Sequence, residues 1–343
     1  MAAYTTVDDA GSFFNPVLYS TTGSSLAVTG AGFQPDLTWI KLRTSAQVHN
    51  LTDAVRGATK YLQSNDSAAT VTNAESLKTF DSDGFTVGTD DIVNKSGNTA
   101  VSWNWKMGTT SGLSGGTITP DGYSFSATAG QGVYEYTGGG SAGTISHGLG
   151  AVPKLMMVKR SENDAQEWRV YFSALGPTKN LVLSEYDAEN TTSINWNDTA
   201  PTSSVFTVGS SLTESAKVMM GYIFADVQGY SRFGSYTGNG NVDGPYVYTG
   251  FKPALVLIKN ATGSSMSWTL RGDALNPFNP ADGHVVPNTT AAEASGKDID
   301  ILSNGFKART TDGGVNGSGN TLVYGAWAES PFVNSSSVPN NAR

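Results

Sequence analysis

Three short apolar runs, each with a proline shortly before it and a lysine at its end, set the pattern of this chain. Residues 32–43 read GFQPDLTWIKLR, residues 150–160 read GAVPKLMMVKR and residues 250–260 read GFKPALVLIKN. Runs of this length, bounded by turn residues and rich in branched and aromatic side chains, predict buried strands rather than helices. Pro35, Pro153 and Pro253 cannot donate to a sheet ladder, which places them at the first strand position. The closing Lys41, Lys159 and Lys259 are expected to snorkel at a solvated strand end. VSWNWK at 101–106 alternates large and small residues with period two, as a half-buried antiparallel strand does. The SDGF and SNGF stretches ending at Phe85 and Phe306 read as tight turns feeding a strand. Helical patterning is confined to a turn or so near Asp53–Tyr61 or Thr290–Ser295.

The three runs sit in a longer register. Tyr19, Tyr136 and Tyr236 precede their prolines by 16 or 17 positions, each next to a Thr-Gly turn. Phe85, Phe206 and Phe306 follow at 50 to 53 positions, and each copy closes on an aromatic strand ending near residue 106, 226 or 329. So many anchors in phase predict one unit written three times. Short strands with turn signals every 8–12 residues or so predict an all-β chain of three tandem antiparallel β-sandwiches, jelly-roll or lectin-like, of about 100 residues each. The expected boundaries are an N-terminal arm at 1–15, repeats at 16–110, 117–228 and 229–333, and a polar tail at 334–343. Residues 107–116 (MGTTSGLSGG) read as a linker.

Composition narrows the function. The chain has 343 residues, 40 of them Gly, and only 15% charged residues, which suits turns and strands. Its 21 Lys and Arg are scattered among 29 Asp and Glu, for a net charge of −8, which argues against nucleic acid as a partner. No cysteine is present, so disulfides, thiolate metal sites and Cys nucleophiles are excluded. No apolar stretch approaches the ~20 residues of a membrane span, and the N-terminus lacks a signal-peptide pattern. The expected site of synthesis is a cytoplasm.

Candidate chemistry is sparse. Gly139–Gly143 matches the spacing of a nucleophile elbow but lacks the helix that such a turn must feed. His49, His147 and His284 fall at no metal-ligand spacing and read as turn or surface residues. Asp81-Ser82-Asp83-Gly84 resembles part of a calcium loop, but its counterpart before Phe306 has lost the carboxylates, so a turn is the better reading. No catalytic, metal or cofactor residue is therefore predicted, and no enzyme. Aromatics in phase across copies (Tyr136, Tyr236, Phe85, Phe206, Phe306, Trp168 and Trp268) are expected to build the cores. Those without a counterpart, Trp196, Tyr246 and Phe278, are the ligand-binding candidates.

The assembled order of motifs carries a resemblance. YTTVDD, SFFN and LY at 4–19, GFQPDLTWIK, LTDAVRGATKYLQSN at 51–65, FDSDGFTVG at 80–88 and the WNWK strand are followed by FGSYTGNGNVDGPYVYTGFKPALVLIK and LSNGFKAR. Nearly the whole chain resembles a family of tailed-bacteriophage virion structural proteins, frequent in marine phages, with a repeated β domain of unknown function. His147–Pro153 departs from the GFxP pattern. The resemblance implies exposure on a virion, most readily in a tail or tail fibre engaged in host attachment. It equally fits a capsid decoration or head-fibre protein; a stand-alone carbohydrate-binding protein is the alternative from another class. The implied partners are other virion proteins, docked through the N-terminal arm, further copies of the chain in a homo-oligomer, and a host-surface glycan or protein.

Overall fold

The computed structural model describes residues 4–162 and 165–341. Residues 1–3 of the expected arm and 342–343 of the expected tail lie outside the described residues. The fold is all-β, built of antiparallel sheets, with two one-turn α-helices and two short 3-10 segments among the described residues. No helix is long and apolar enough to cross a membrane among the described residues.

The same strand order occurs in each third of the chain. An opening strand pairs with the closing strand, the closing strand with the proline-led strand, and that strand with a return strand. In the first third these are Phe14–Ser20, Thr99–Trp105, Leu37–Leu42 and Asn50–Asp53. In the second they are Gln131–Thr137, Val218–Ala225, Pro153–Arg160 and Arg169–Phe172. In the third they are Ser231–Thr237, Thr321–Pro331, Phe251–Asn260 and Thr269–Gly272. The register shifts beside Pro153 and Pro253, where a residue without an N–H breaks the ladder. A small sheet of two or three strands backs the outer face of each large one. It contains Gly84–Val87, Val205–Val208 or Gly305–Ala308, the first and last of these as the central strand. Gly84 and Gly305 sit where a Cβ would stand 2.0 Å from the carbonyl oxygen of Val28 or Val247, so only glycine lets these strands close up.

Alternation along the proline-led strands then builds two layers. Ile40, with Val28, Phe85 and Val87, fills the outer layer of the first third, and Met156 and Val158, with Ile145 and Phe206, that of the second. The inward residues are Leu37 and Trp39, Leu155 and Met157, Leu255 and Leu257, and they belong to one continuous core. At its centre Trp105, Phe224 and Trp327, one from each closing strand, touch each other, with ring centroids 5.2–6.2 Å apart. They leave an apolar void of only about 10 Å³. Three sheets thus face a common centre. Their inner faces carry large apolar side chains that this shared centre covers.

The thirds are joined by polar seams that go round the molecule in one direction. Backbone N–H groups of Thr70, Glu189 and Glu293 donate to the carbonyls of Ser161, Ala261 and Arg43 at 2.7–2.9 Å. The ring N–H groups of Trp168 and Trp268 donate to Gln63 and Val182 at 2.8 and 2.9 Å, and His49 Nε2 to Val286 at 3.0 Å. Lys159, Lys259 and Lys41 complete each seam on the carbonyls of Ser67, Tyr186 and Thr290, at 2.8, 2.8 and 3.3 Å. First joins second, second joins third, and third returns to first.

These lysines correct the expectation of a solvated strand end, for all three are fully buried. They share the inward face with Leu37, Leu155 and Leu255, so each ammonium is enclosed at a seam and bonded to carbonyls rather than carboxylates. Lys41 also donates to Leu42 and Ser45, Lys159 to Arg160, and Lys259 to Met266. Burial pushes each down to about 8.

The expected N-terminal arm is also corrected. Val7 and Ala10 are buried in the central core, Thr5 Oγ1 donates to Gln228 O at 2.7 Å, and Tyr4 Oη donates to Gly250 O at 2.9 Å. Asp8 accepts from Ser335 N at 2.7 Å. Val7 and Ala10 sink into the core while the polar residues between and before them bond to the body, and the Asp8–Ser335 contact fastens the chain ends together. The residues read as a linker are partly integrated as well: Met107 lies in the central core, and Thr109 bridges to Phe125. Helix appears at Asp91–Asn94 and Gly313–Asn316, not near 53–61 or 290–295. Asp90 and Asp312 cap these turns, and Tyr19 and Tyr236 donate to their Val93 and Val315 carbonyls.

Two outcomes follow for stability. A lysine whose folded value lies near 8, below the ordinary 10.5, costs the fold most below pH 8, and that cost fades as pH rises toward 10.5. Unfolding free energy should therefore rise between pH 8 and 10, by up to about 1.4 kcal/mol per pH unit for each lysine. Urea titrations across that range should show the slope shrinking in Lys159→Met; an unchanged slope would refute the assignment. Removing residues 1–10 should lower stability by roughly 2–4 kcal/mol through loss of the buried Val7 and the arm's hydrogen bonds, read as an earlier thermal midpoint.

Candidate ligand-binding surface

The three residues singled out from the sequence have different fates. Trp196 is fully buried and meets Tyr171 edge-to-face at 5.7 Å, so it is corrected from ligand candidate to core residue. Asn197 and Asp198, both with left-handed φ near 50°, turn the loop so that the indole points inward. Its lack of a counterpart marks a plug peculiar to one loop rather than an exposed platform.

Tyr246 and Phe278 are exposed, Phe278 at 79%. Asn279 fixes the Phe278 loop by bonding both the N–H and the carbonyl of Ile301 at 2.8 Å, along the edge strand Ile299–Leu302. Tyr246 lies on the opposite edge of the same three-stranded sheet, in Tyr246–Tyr248. At ~4.8 Å per strand the two edges are roughly 10 Å apart, so Tyr246 and the Phe278 loop stand at opposite edges of one sheet.

Tyr246 keeps different company. Alternation turns Val247 inward and leaves Tyr246 and Tyr248 about half exposed on one face. Tyr248 Oη lies 3.0 Å from Tyr4 Oη, and Tyr246 Oη donates to Asn304 O at 3.3 Å. Beside the Tyr4–Tyr248 pair a cleft of about 340 Å³ is lined by Asp226, Gln228, Arg232 and Gly250 among others. Asp226 is pushed up by burial, although it accepts from Phe233 N at 2.8 Å and faces Arg232 across 3.9 Å. The cleft therefore offers phenol rings, a carboxylate, an amide and a guanidinium at a shallow, nearly charge-balanced surface.

Sequence reasoning missed this grouping. The Tyr-Val-Tyr alternation carries a signal for Tyr248. Nothing local could find Tyr4, which lies 244 positions away in the chain.

The histidines and several other titratable groups are engaged within the fold. All three histidines are buried, which corrects their reading as turn or surface residues. His49 Nδ1 accepts from Trp39 Nε1 at 2.9 Å, and His147 Nδ1 accepts from Leu149 N at 3.1 Å. Burial holds His49 down to about 3 and His284 to about 4, so both are neutral at ordinary pH. The carboxylates of Asp81 and Asp83 accept from Thr79 and Thr86 and from Gly30 and Gly32, which closes the turn. Ser141, in the elbow-like stretch, is exposed in a turn between two strands. Arg56 spends its guanidinium on Asp53, Leu51 O and Tyr222 within the first seam. Asp282 and Asp298 hydrogen-bond to each other; burial and that bond push Asp298 up, while the Gly296 N–H holds Asp282 down. Among the described residues, no group of three or more His, Asp or Glu could hold a metal ion.

Trp196→Ala should destabilise the protein by about 3–5 kcal/mol, as loss of a buried indole does. Phe278→Ala should change stability by no more than about 0.5 kcal/mol. Denaturant midpoints of the two variants, compared with wild type, distinguish core from surface.

A family model described as Domain of unknown function (DUF7483) matches residues 9–331. No curated protein and no solved structure matches the chain.

Proposed function

The chain belongs to the DUF7483 family, and we propose that it is a structural protein of a tailed-phage particle. In this reading it is displayed on the virion, in the tail or tail-fibre apparatus, and contacts the host surface. The observation that supports the reading best is the closed three-part ring, which turns a chain poor in charged residues into a stiff body carrying many loops. Each seam repeats the same donors and acceptors at corresponding positions. We read the thirds accordingly as three copies of one sandwich unit. Lys41, Lys159 and Lys259 hold that repeated arrangement, and their recurrence is an architectural signature rather than a catalytic one.

Partners in this reading are other virion proteins, further copies of the chain, and a glycan or protein on the host. The arm at residues 4–13 is committed to its own last third, so the virion contact falls to other surfaces. Placement on the capsid, as a decoration or head fibre, is the reading nearest to this one. A carbohydrate-binding role outside a particle is a second reading, and the tyrosine-lined cleft favours it.

Antibody raised against the folded chain should label purified particles at the tail in gold-labelled electron micrographs. Labelling confined to capsid faces would move the protein to the decoration class. Particles without label, and without the chain by mass spectrometry, would overturn the virion reading.

A further inference from the structure

We infer that the cleft between the Tyr4–Tyr248 pair and the Asp226–Arg232 hairpin binds one residue of a neutral saccharide. A pyranose presents an apolar face of C–H groups and a rim of hydroxyls, each able to donate and accept. Phenol rings suit the face, and planar carboxylate, amide and guanidinium groups suit neighbouring hydroxyls. Tyr4, Tyr248, Asp226, Gln228 and Arg232 bring both kinds of group to one concavity of about 340 Å³. That volume is within the range of small-ligand clefts.

Charge decides between saccharide classes. Asp226 and Arg232 lie 3.9 Å apart and largely cancel. A phosphate or uronate would meet the carboxylate as well as the guanidinium. A neutral sugar can use both.

The site is also held in place before any ligand arrives. Tyr4 Oη is fixed by Gly250 O at 2.9 Å and by Tyr248 Oη at 3.0 Å. Asp226 is oriented by the Phe233 N–H. Arg232 is hydrogen-bonded to Tyr324. Gly250 has φ +86°, and a Cβ there would stand 3.0 Å from the Tyr4 hydroxyl, so the close approach of the phenol depends on that glycine. Groups already oriented lose little freedom on binding. Because Tyr4 comes from the N-terminal segment, Asp226 and Gln228 from the end of the second third and Arg232 and Tyr248 from the last third, the cleft is complete only when the N-terminal segment is seated.

The inference deepens the proposed host contact, and its test can fail separately. Saturation-transfer NMR on the full chain would use the methyl glycosides of glucose, galactose and N-acetylglucosamine, with methyl glucuronide as the charged probe. Saturable binding of at least one neutral glycoside at millimolar concentration is expected, weakened tenfold or more in Tyr248→Ala and in Arg232→Ala. Tyr246→Ala, which alters a neighbour outside the cleft, should leave it unchanged. If Tyr248→Ala melts early, Arg232→Ala decides, since that side chain is exposed. No saturable binding of any neutral glycoside, full binding in Arg232→Ala, or a tenfold preference for the glucuronide would overturn the inference. Labelled particles without saccharide binding would sink this site alone. Saccharide binding by a chain absent from particles would sink the virion reading alone.

Discussion

The contact on which the rest of the structure depends is the meeting of Trp105, Phe224 and Trp327 at the centre. Each ring comes from a closing strand, and each touches the other two. Fully burying such a side chain is worth about 2–3 kcal/mol before packing is counted. The larger effect is geometric. Once three strands must bring large rings to one point, their sheets have to face inward, and every inward residue on the neighbouring proline-led strands becomes core. The seams are then the places where backbone edges and polar side chains come together without water, and their donors have to find acceptors inside the protein.

That constraint explains the lysines. A buried ammonium is expensive unless its protons are hydrogen-bonded. At each seam it meets carbonyls on both sides, its own third and the neighbouring one, so it acts as a cross-link between backbones. The choice of carbonyls over a carboxylate leaves a positive charge in the core, and burial accordingly lowers the affinity of each lysine for its proton. Trp168, Trp268 and His49 do the same work with a single N–H. The histidine stands where the other two thirds have tryptophan, so the position is defined by an aromatic ring with a donor at its edge rather than by one residue type.

Much of the fold was legible because it lay in local pattern. The Pro-to-Lys phrase, the Tyr-Thr-Gly turns and the Gly-Phe strands report strand and turn, and the structure has strands and turns there. What the pattern could not carry was the relation between thirds. Lys41 reads as a strand end because its acceptor, Thr290, is remote in sequence. The segment from Tyr4 to Ala10 reads as an arm because its partners, Gln228 and Gly250, lie more than 220 positions away, at the end of the second third and in the last. Phase sorted most aromatics correctly, yet Trp196 shows its limit. A residue without a counterpart can still be buried when its own loop folds over it. The one-turn helices were missed although Asp90 and Asp312, each four residues before a buried Asn94 or Asn316, mark both of them.

The fastening of the chain ends has a mechanical side. Tyr4 is bonded beside Gly250, and Asp8 beside Ser335, so both ends of the described chain leave from one patch. Tension applied between them would load these few surface bonds in turn and spare the seams and the central rings. The body would shed its fastening before the three sheets parted. Anything joined to either end would be tethered to the same side, with the opposite side of the ring left clear.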